Sequence, residues 1–215
     1  MEISNNSGLT FSFLEDGNVQ NIDADKIRIN LKAGNLYAQP GTQLYLRWHK
    51  SGSIEYVPVL GAVNGNKISI SEGELFVQGA WKGLQYVCRL QLSEKSTSWR
   101  WHIDITNTTS DKALLDVIWK QEVGLKSLND GLVNEYYVAQ YLERTLLTDA
   151  EYGTVAACRQ NIKEAGGFPW LMMASAGNAL TGLTDGMQFY GNSCWGSGIP
   201  ECLLQKELPG NMAGE

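Results

Sequence analysis

Ser98–Thr109 reads SWRWHIDITNTT, and its alternation decides the fold class. Trp99, Trp101, Ile103 and Ile105 fall on one side of an extended chain, with Arg100, His102 and Asp104 on the other. Side chains alternate across a strand, so a sustained period of two specifies one apolar and one wet face. Working outward, Leu84–Leu92 puts Leu84, Tyr86, Cys88, Leu90 and Leu92 on one side, and Glu74–Ala80 continues the pattern. Gln43–His49 aligns Leu44, Leu46 and Trp48, while Lys26–Lys32 sets Ile27, Ile29 and Leu31 against Arg28, Asn30 and Lys32. Thr10–Glu15, Glu55–Leu60 and Ala113–Trp119 are further strand candidates. Turn chemistry separates them: Asp16-Gly17 suits a type I′ hairpin, Ser51-Gly52 a tight turn, and Asn64-Gly65-Asn66 another hairpin. Many short alternating runs with such punctuation predict an all-β domain of antiparallel sheets.

Beyond Gly131 the pattern weakens. Leu132–Asn161 crowds Tyr136, Tyr137, Tyr141 and Tyr152 among Gln140, Arg159, Gln160 and Asn161. Aromatic faces beside planar hydrogen-bonding groups suit a carbohydrate, which offers apolar C–H faces and a rim of hydroxyls. On this stretch alone the tyrosines read more readily as core residues with a wet hydroxyl. Asn134–Leu147 is ambiguous: Val133, Tyr137, Tyr141 and Leu142 have helical spacing, yet Tyr, Val and Thr favour strands. Gly153–Asn161 and Pro169–Ser175 read as strands, and the Gly- and Ser-rich tail from Gly191 as loop.

A length of 215 residues fits one domain spanning 1–215, and the formal charge of −6 argues against nucleic acid and anionic membrane as partners. No apolar run approaches the roughly 20 residues that span a bilayer, and the first residues lack the pattern of a signal peptide, so a cytoplasmic location is expected. The four cysteines have no C-x-x-C spacing and only two histidines to join them, so no metal and no cofactor is expected. Cys88 and Cys158 read as core residues, and Cys194 and Cys202 as free thiols.

Nucleophile elbows, Walker loops and H-E-x-x-H are absent. Glycoside chemistry needs carboxyl groups flanking the bond, but spacing selects none of Asp104, Asp116, Asp149, Glu164 and Asp185. Arg100, His102 and Asp104 lie near 7 Å apart along one face, which fits either a catalytic set or a solvated strand. Trp48, Trp99 and Trp101 face the core, leaving Trp81, Trp170 and Trp195 as candidate sugar platforms.

Six stretches carry a resemblance: residues 29–49 (INLKAGNLYAQPGTQLYLRWH), 75–109, 133–142 (VNEYYVAQYL), 152–161 (YGTVAACRQN), 169–173 (PWLMM) and 182–191 (GLTDGMQFYG). In this order they resemble the N-terminal part of 1,2-β-oligoglucan phosphorylases and the phosphorylase-like part of cyclic β-1,2-glucan synthases. Both lie in the family of inverting glycoside phosphorylases that includes cellobiose phosphorylase. The resemblance implies an antiparallel β-supersandwich similar to the galactose mutarotase-like fold, placed ahead of an (α/α)6 barrel. In the resembled enzymes the barrel holds the general acid and the phosphate site, and inorganic phosphate is a co-substrate. No positions matching that barrel are found here, so no catalytic residue is carried over.

The resemblance therefore implies a non-catalytic domain whose partners are a catalytic (α/α)6 barrel, β-1,2-glucan oligosaccharides and a second copy in a homodimer. Tyr137, Gln140, Arg159, Asn161, Gln188 and Tyr190 are the candidate substrate contacts, with structural hydrogen bonding as the alternative role for each. A barrel that covers one face predicts an exposed apolar patch, with Pro169–Met173 contributing to it. Two other readings stay open: a free-standing carbohydrate-binding module, and a mutarotase-like epimerase using His49 or His102. Shared fold alone establishes neither.

Overall fold

The computed structural model describes residues 1–164, 166–176, 181–192, 194 and 199–208. Four antiparallel sheets share one apolar core. The first sheet joins β1 (Glu2–Ser4), β2 (Leu9–Phe13), β3 (Val19–Ala24), β4 (Ile27–Arg28) and β12 (Lys126–Ser127). The second orders β10 (Trp99–Asn107), β9 (Leu84–Leu92), β8 (Glu74–Trp81) and β7 (Lys67–Ser71). The third places β5 (Thr42–Lys50) between β11 (Leu114–Gln121) and β6 (Ser53–Pro58). The fourth places β14 (Gly153–Gln160) between β13 (Leu142–Asp149) and β15 (Trp170–Met173). The chain is an all-β antiparallel sandwich, as its alternation predicts.

The decisive stretch pairs along its whole length, from Trp99 opposite Leu92 to Asn107 opposite Leu84. Its Trp99 and Trp101 rings meet Phe11 edge-on, with centroids 5.4 and 6.4 Å away. Leu84, Tyr86, Cys88 and Leu90 are buried on the neighbouring strand, so the two apolar faces form one wall of the core.

Several local expectations change. Asp16-Gly17 does not make a type I′ turn, because Gly17 alone takes a positive φ (78°) and Leu14 and Asn18 close a three-residue loop. Lys26–Lys32 is a strand only at Ile27–Arg28. Asn30, expected on the wet face, is buried: its amide accepts from Ile22 and donates to the Gln20 and Lys32 carbonyls, ending the strand. Asn64-Gly65-Asn66 is a crossover and not a hairpin, since β6 and β7 lie in different sheets. The one-sided reading of β5 also fails, because Gln43, Tyr45 and Arg47 on its second face are buried too.

The ambiguous segment contains both structures. Asn134 caps α2 (Glu135–Gln140) by accepting from the Tyr137 amide at 3.0 Å, and β13 begins two residues after the helix ends. Before it, Ser127 caps α1 (Leu128–Val133). Asp185 caps α3 (Gly186–Tyr190), so the segment before the expected loop is helical, and Glu201–Leu204 forms a 3-10 turn within that tail. Among the described residues no helix is long and apolar enough to cross a membrane.

Candidate contact face and binding residues

The fourth sheet has two unlike faces. Leu142, Cys158, Gln160 and Leu171 point to the core and are buried. The opposite face is a short lattice of rows set by register: Glu143–Arg159–Trp170, Thr145–Ala157–Met172 and Leu147–Val155. Neighbouring strands lie about 4.8 Å apart, so side chains in these rows touch. Trp170 is 61% exposed and Met172 63%, with Leu147 and Phe168 open beside them. Ala157 and Val155 are shaded by these larger neighbours and are buried on the same face.

Arg159 sits among these side chains. Its guanidinium carbon lies 4.8 Å from the Phe168 ring centre and 5.5 Å from that of Trp170. The ring faces attract the cation electrostatically. Its Nε is buried with no hydrogen-bond partner among the described residues, although Glu143 stands opposite on β13. An arginine so held presents a polar group within an apolar, open surface.

Asn161 follows directly. It is exposed, and its backbone N–H continues the ladder by donating to Tyr141 at 2.9 Å. Tyr141 packs at a tilt of 55° against Tyr137 with ring centres 4.8 Å apart, and hydrogen bonding between the two raises the Tyr137 phenol above its ordinary pKa. Tyr137 and Gln140 are both exposed on α2. Gln160 is what fastens this helix to the sheet. Its fully buried amide donates to the Val138 carbonyl at 3.2 Å and to the Gly124 carbonyl at 2.9 Å, and accepts from the Ile162 amide. Tyr137 and Asn161 are thereby joined through Tyr141, Gln140 rides on the same helix, and Arg159 stands on the other face of β14 from Gln160.

Gln188 and Tyr190 belong elsewhere. They ride on α3, whose Phe189 packs on Tyr45 at 6.0 Å over the second face of β5. Tyr190 is half-buried, with the Lys120 ammonium 4.9 Å above its ring, and burial pushes its phenol up to about 12. Gln188 lines a depression of about 400 Å³ with Asp185, Met187 and Glu201. Among the platform candidates, Trp81 is tied into the core edge against Trp48 at 6.2 Å, Trp170 is open, and Trp195 lies outside the described residues. Arg100 and Asp104 are exposed along β10 with His102 half-buried between them. Among the described residues no three His, Cys, Asp or Glu side chains gather to hold a metal ion.

Residues 12–213 match the family described as the SOGP N-terminal domain. The chain belongs to that family. It is also 22% identical over 204 residues to a 1,2-beta-oligoglucan phosphorylase of Listeria innocua serovar 6a. That alignment covers 95% of this chain and 18% of the relative, so this SOGP N-terminal domain spans under a fifth of the relative's length.

Sequence reasoning missed Phe168 and the fastening role of Gln160. Phe168 precedes β15 by two residues, and only the register that sets Arg159 opposite Trp170 brings its ring to the guanidinium. The signal for Gln160 was present: it alternates with Ala156 and Cys158 on the inward face of a strand.

Proposed function

We propose that this SOGP N-terminal domain is a non-catalytic part of a glycoside phosphorylase acting on β-1,2-glucan oligosaccharides. Its outward β13–β15 face packs against the remainder of such an enzyme, and Tyr137, Gln140, Arg159 and Asn161 border the sugar cleft there. The observation that carries this reading is the open Trp170–Met172–Leu147–Phe168 surface around an arginine with an unpaired buried Nε. A contiguous apolar surface of this kind marks an interaction site. The similarity to a much longer 1,2-beta-oligoglucan phosphorylase supports this choice of partner and substrate class. Inorganic phosphate belongs to the chemistry of the whole enzyme, in the cytoplasm, and not to residues of this chain. Gln188 and Tyr190 remain candidates for a separate contact across α3.

A ligand-observed NMR experiment with 1,2-β-oligoglucans and inorganic phosphate tests the non-catalytic claim. The isolated chain is expected to form no sugar phosphate; its appearance over hours contradicts the reading. In the larger enzyme, Arg159→Ala and Asn161→Ala are expected to raise acceptor KM several-fold. Unchanged KM in both removes the cleft role.

The exposed Trp170 ring also favours a second reading, a free-standing carbohydrate-binding module. That reading expects saturation transfer to the oligoglucan from the isolated chain, lost in Trp170→Ala.

A further inference from the structure

A separate cavity of about 460 Å³ opens between β4, the segment after it and the α1–α2 pair. It shares no lining residue with the β13–β15 face. Its size falls in the range of small-molecule sites, about 300–1,000 Å³. Three of its lining residues are cations: Arg28, Lys32 and Lys126. Register sets Lys126 directly opposite Arg28, a like-charge pairing that costs stability unless an anion relieves it.

Two of the three charges are already answered. Arg28 holds Asp23 through both carboxylate oxygens, at 2.9 and 3.1 Å. Lys32 pairs with Glu135 at 3.3 Å. Lys126 has no such partner among the described residues. It is 3% exposed and donates only to the Leu31 carbonyl. An ammonium has three donors, and a buried charge is costly without a counter-charge. Burial accordingly pushes Lys126 below its ordinary pKa. Leu128, Val133 and Tyr136 give apolar and aromatic walls, Asn134 and the Glu135 carboxylate complete the rim, and Lys32 stands 5.2 Å over the Tyr136 ring.

We propose that this cavity binds a small organic anion of about one sugar ring, its carboxylate or phosphate paired with Lys126. The body of that ligand lies against Leu128, Val133 and the Tyr136 ring, where C–H faces meet apolar surface. Asp23 holds Arg28 and Glu135 holds Lys32, while Glu135 and Glu122 act on Lys126 only through space, so its ammonium is the one left to pair with an anionic head.

Chemical-shift titration of the whole chain tests this with four probes. Glucose 6-phosphate and glucuronate share a ring and differ in the anionic head; glucose has the ring alone and inorganic phosphate the head alone. Both anionic sugars are expected to perturb resonances around Lys126 and Tyr136. Glucose and inorganic phosphate are expected to bind at least tenfold more weakly. Lys126→Met is expected to weaken the anionic sugars at least tenfold. Because Lys126 is buried, the exposed Tyr136→Ala variant accompanies it, with a several-fold weakening expected. Equal binding by glucose overturns the role of charge, and equal binding by phosphate overturns the role of the body. No perturbation by either anionic sugar, or unchanged affinity in both variants, overturns the site.

Discussion

Strands β5 and β14 are each the middle strand of a three-stranded sheet, and each carries an arginine on its outer face. Arg47 on β5 is fully buried. It donates to the Cys202 and Gln205 carbonyls at 2.8 Å each, and its Nε lies 3.1 Å from Asp116 in an ion pair that is not an aligned hydrogen bond. The same Asp116 carboxylate holds His49 at 2.7 Å. The segment around Glu201–Leu204, together with α3, thus seals that face with chain of this protein. Arg159 on β14 has two aromatic rings, an unpartnered Nε and exposed neighbours. The difference teaches that one outer face is closed by the domain itself, whereas the other has the composition of an interface with the domain's own residues already in place.

The strongest way to break the comparison is at Arg47. Arg47→Ala leaves two carbonyls unpaired and a cavity in a fully buried site, while Asp116 stays partly exposed and held by His49, so a loss of about 2–5 kcal/mol is expected. Urea unfolding measures it, and limited proteolysis near Gln205 is expected to accelerate. Little change in either would show that α3 and the 3-10 turn hold that face without the arginine. Next comes Gln160→Leu, which unties α2 from the sheet and leaves the Gly124 carbonyl and the Ile162 N–H unpaired, for about 1–3 kcal/mol. Hydrogen exchange in α2 is expected to rise first.

A pH test sharpens the closed side. The folded Tyr190 pKa of about 12 exceeds its ordinary 10.0, so the native state binds the extra proton between these values. Stability from this phenol is therefore intact below pH 10.0 and lost as pH rises through about 12. Alkaline unfolding that shifts to higher pH in Tyr190→Phe is the expected result. The smallest effect on stability belongs to the open side. Arg159→Ala removes cation–π contacts to two exposed rings and is expected to cost only about 0.5–1 kcal/mol in thermal unfolding.

How far the chain was legible follows the same division. Alternation in Leu84–Leu92 and Ser98–Thr109 reads directly as paired strands because side-chain direction has period two. Burial on both faces of β5 was not legible, since Arg47 looks wet until a segment some 155 residues later meets it, and Gln43 until its amide meets the Leu60 backbone. Asn30 misled for a related reason: its amide satisfies backbone groups that the sequence does not pair. Tyr137 and Arg159 were legible as chemistry, but the placing of Tyr137 depends on Gln160 and that of Arg159 on the β14–β15 register. The expected apolar patch at Pro169–Met173 was read well, because Trp170 and Met172 alternate with the inward Leu171.

Sedimentation velocity of the isolated chain over a wide concentration range tests the central claim most directly, comparing the parent with Trp170→Glu/Met172→Glu. An open contact face predicts concentration-dependent self-association of the parent, abolished in the double variant while its melting temperature is preserved. A parent that stays monomeric across the range, sedimenting identically to the variant, contradicts the account.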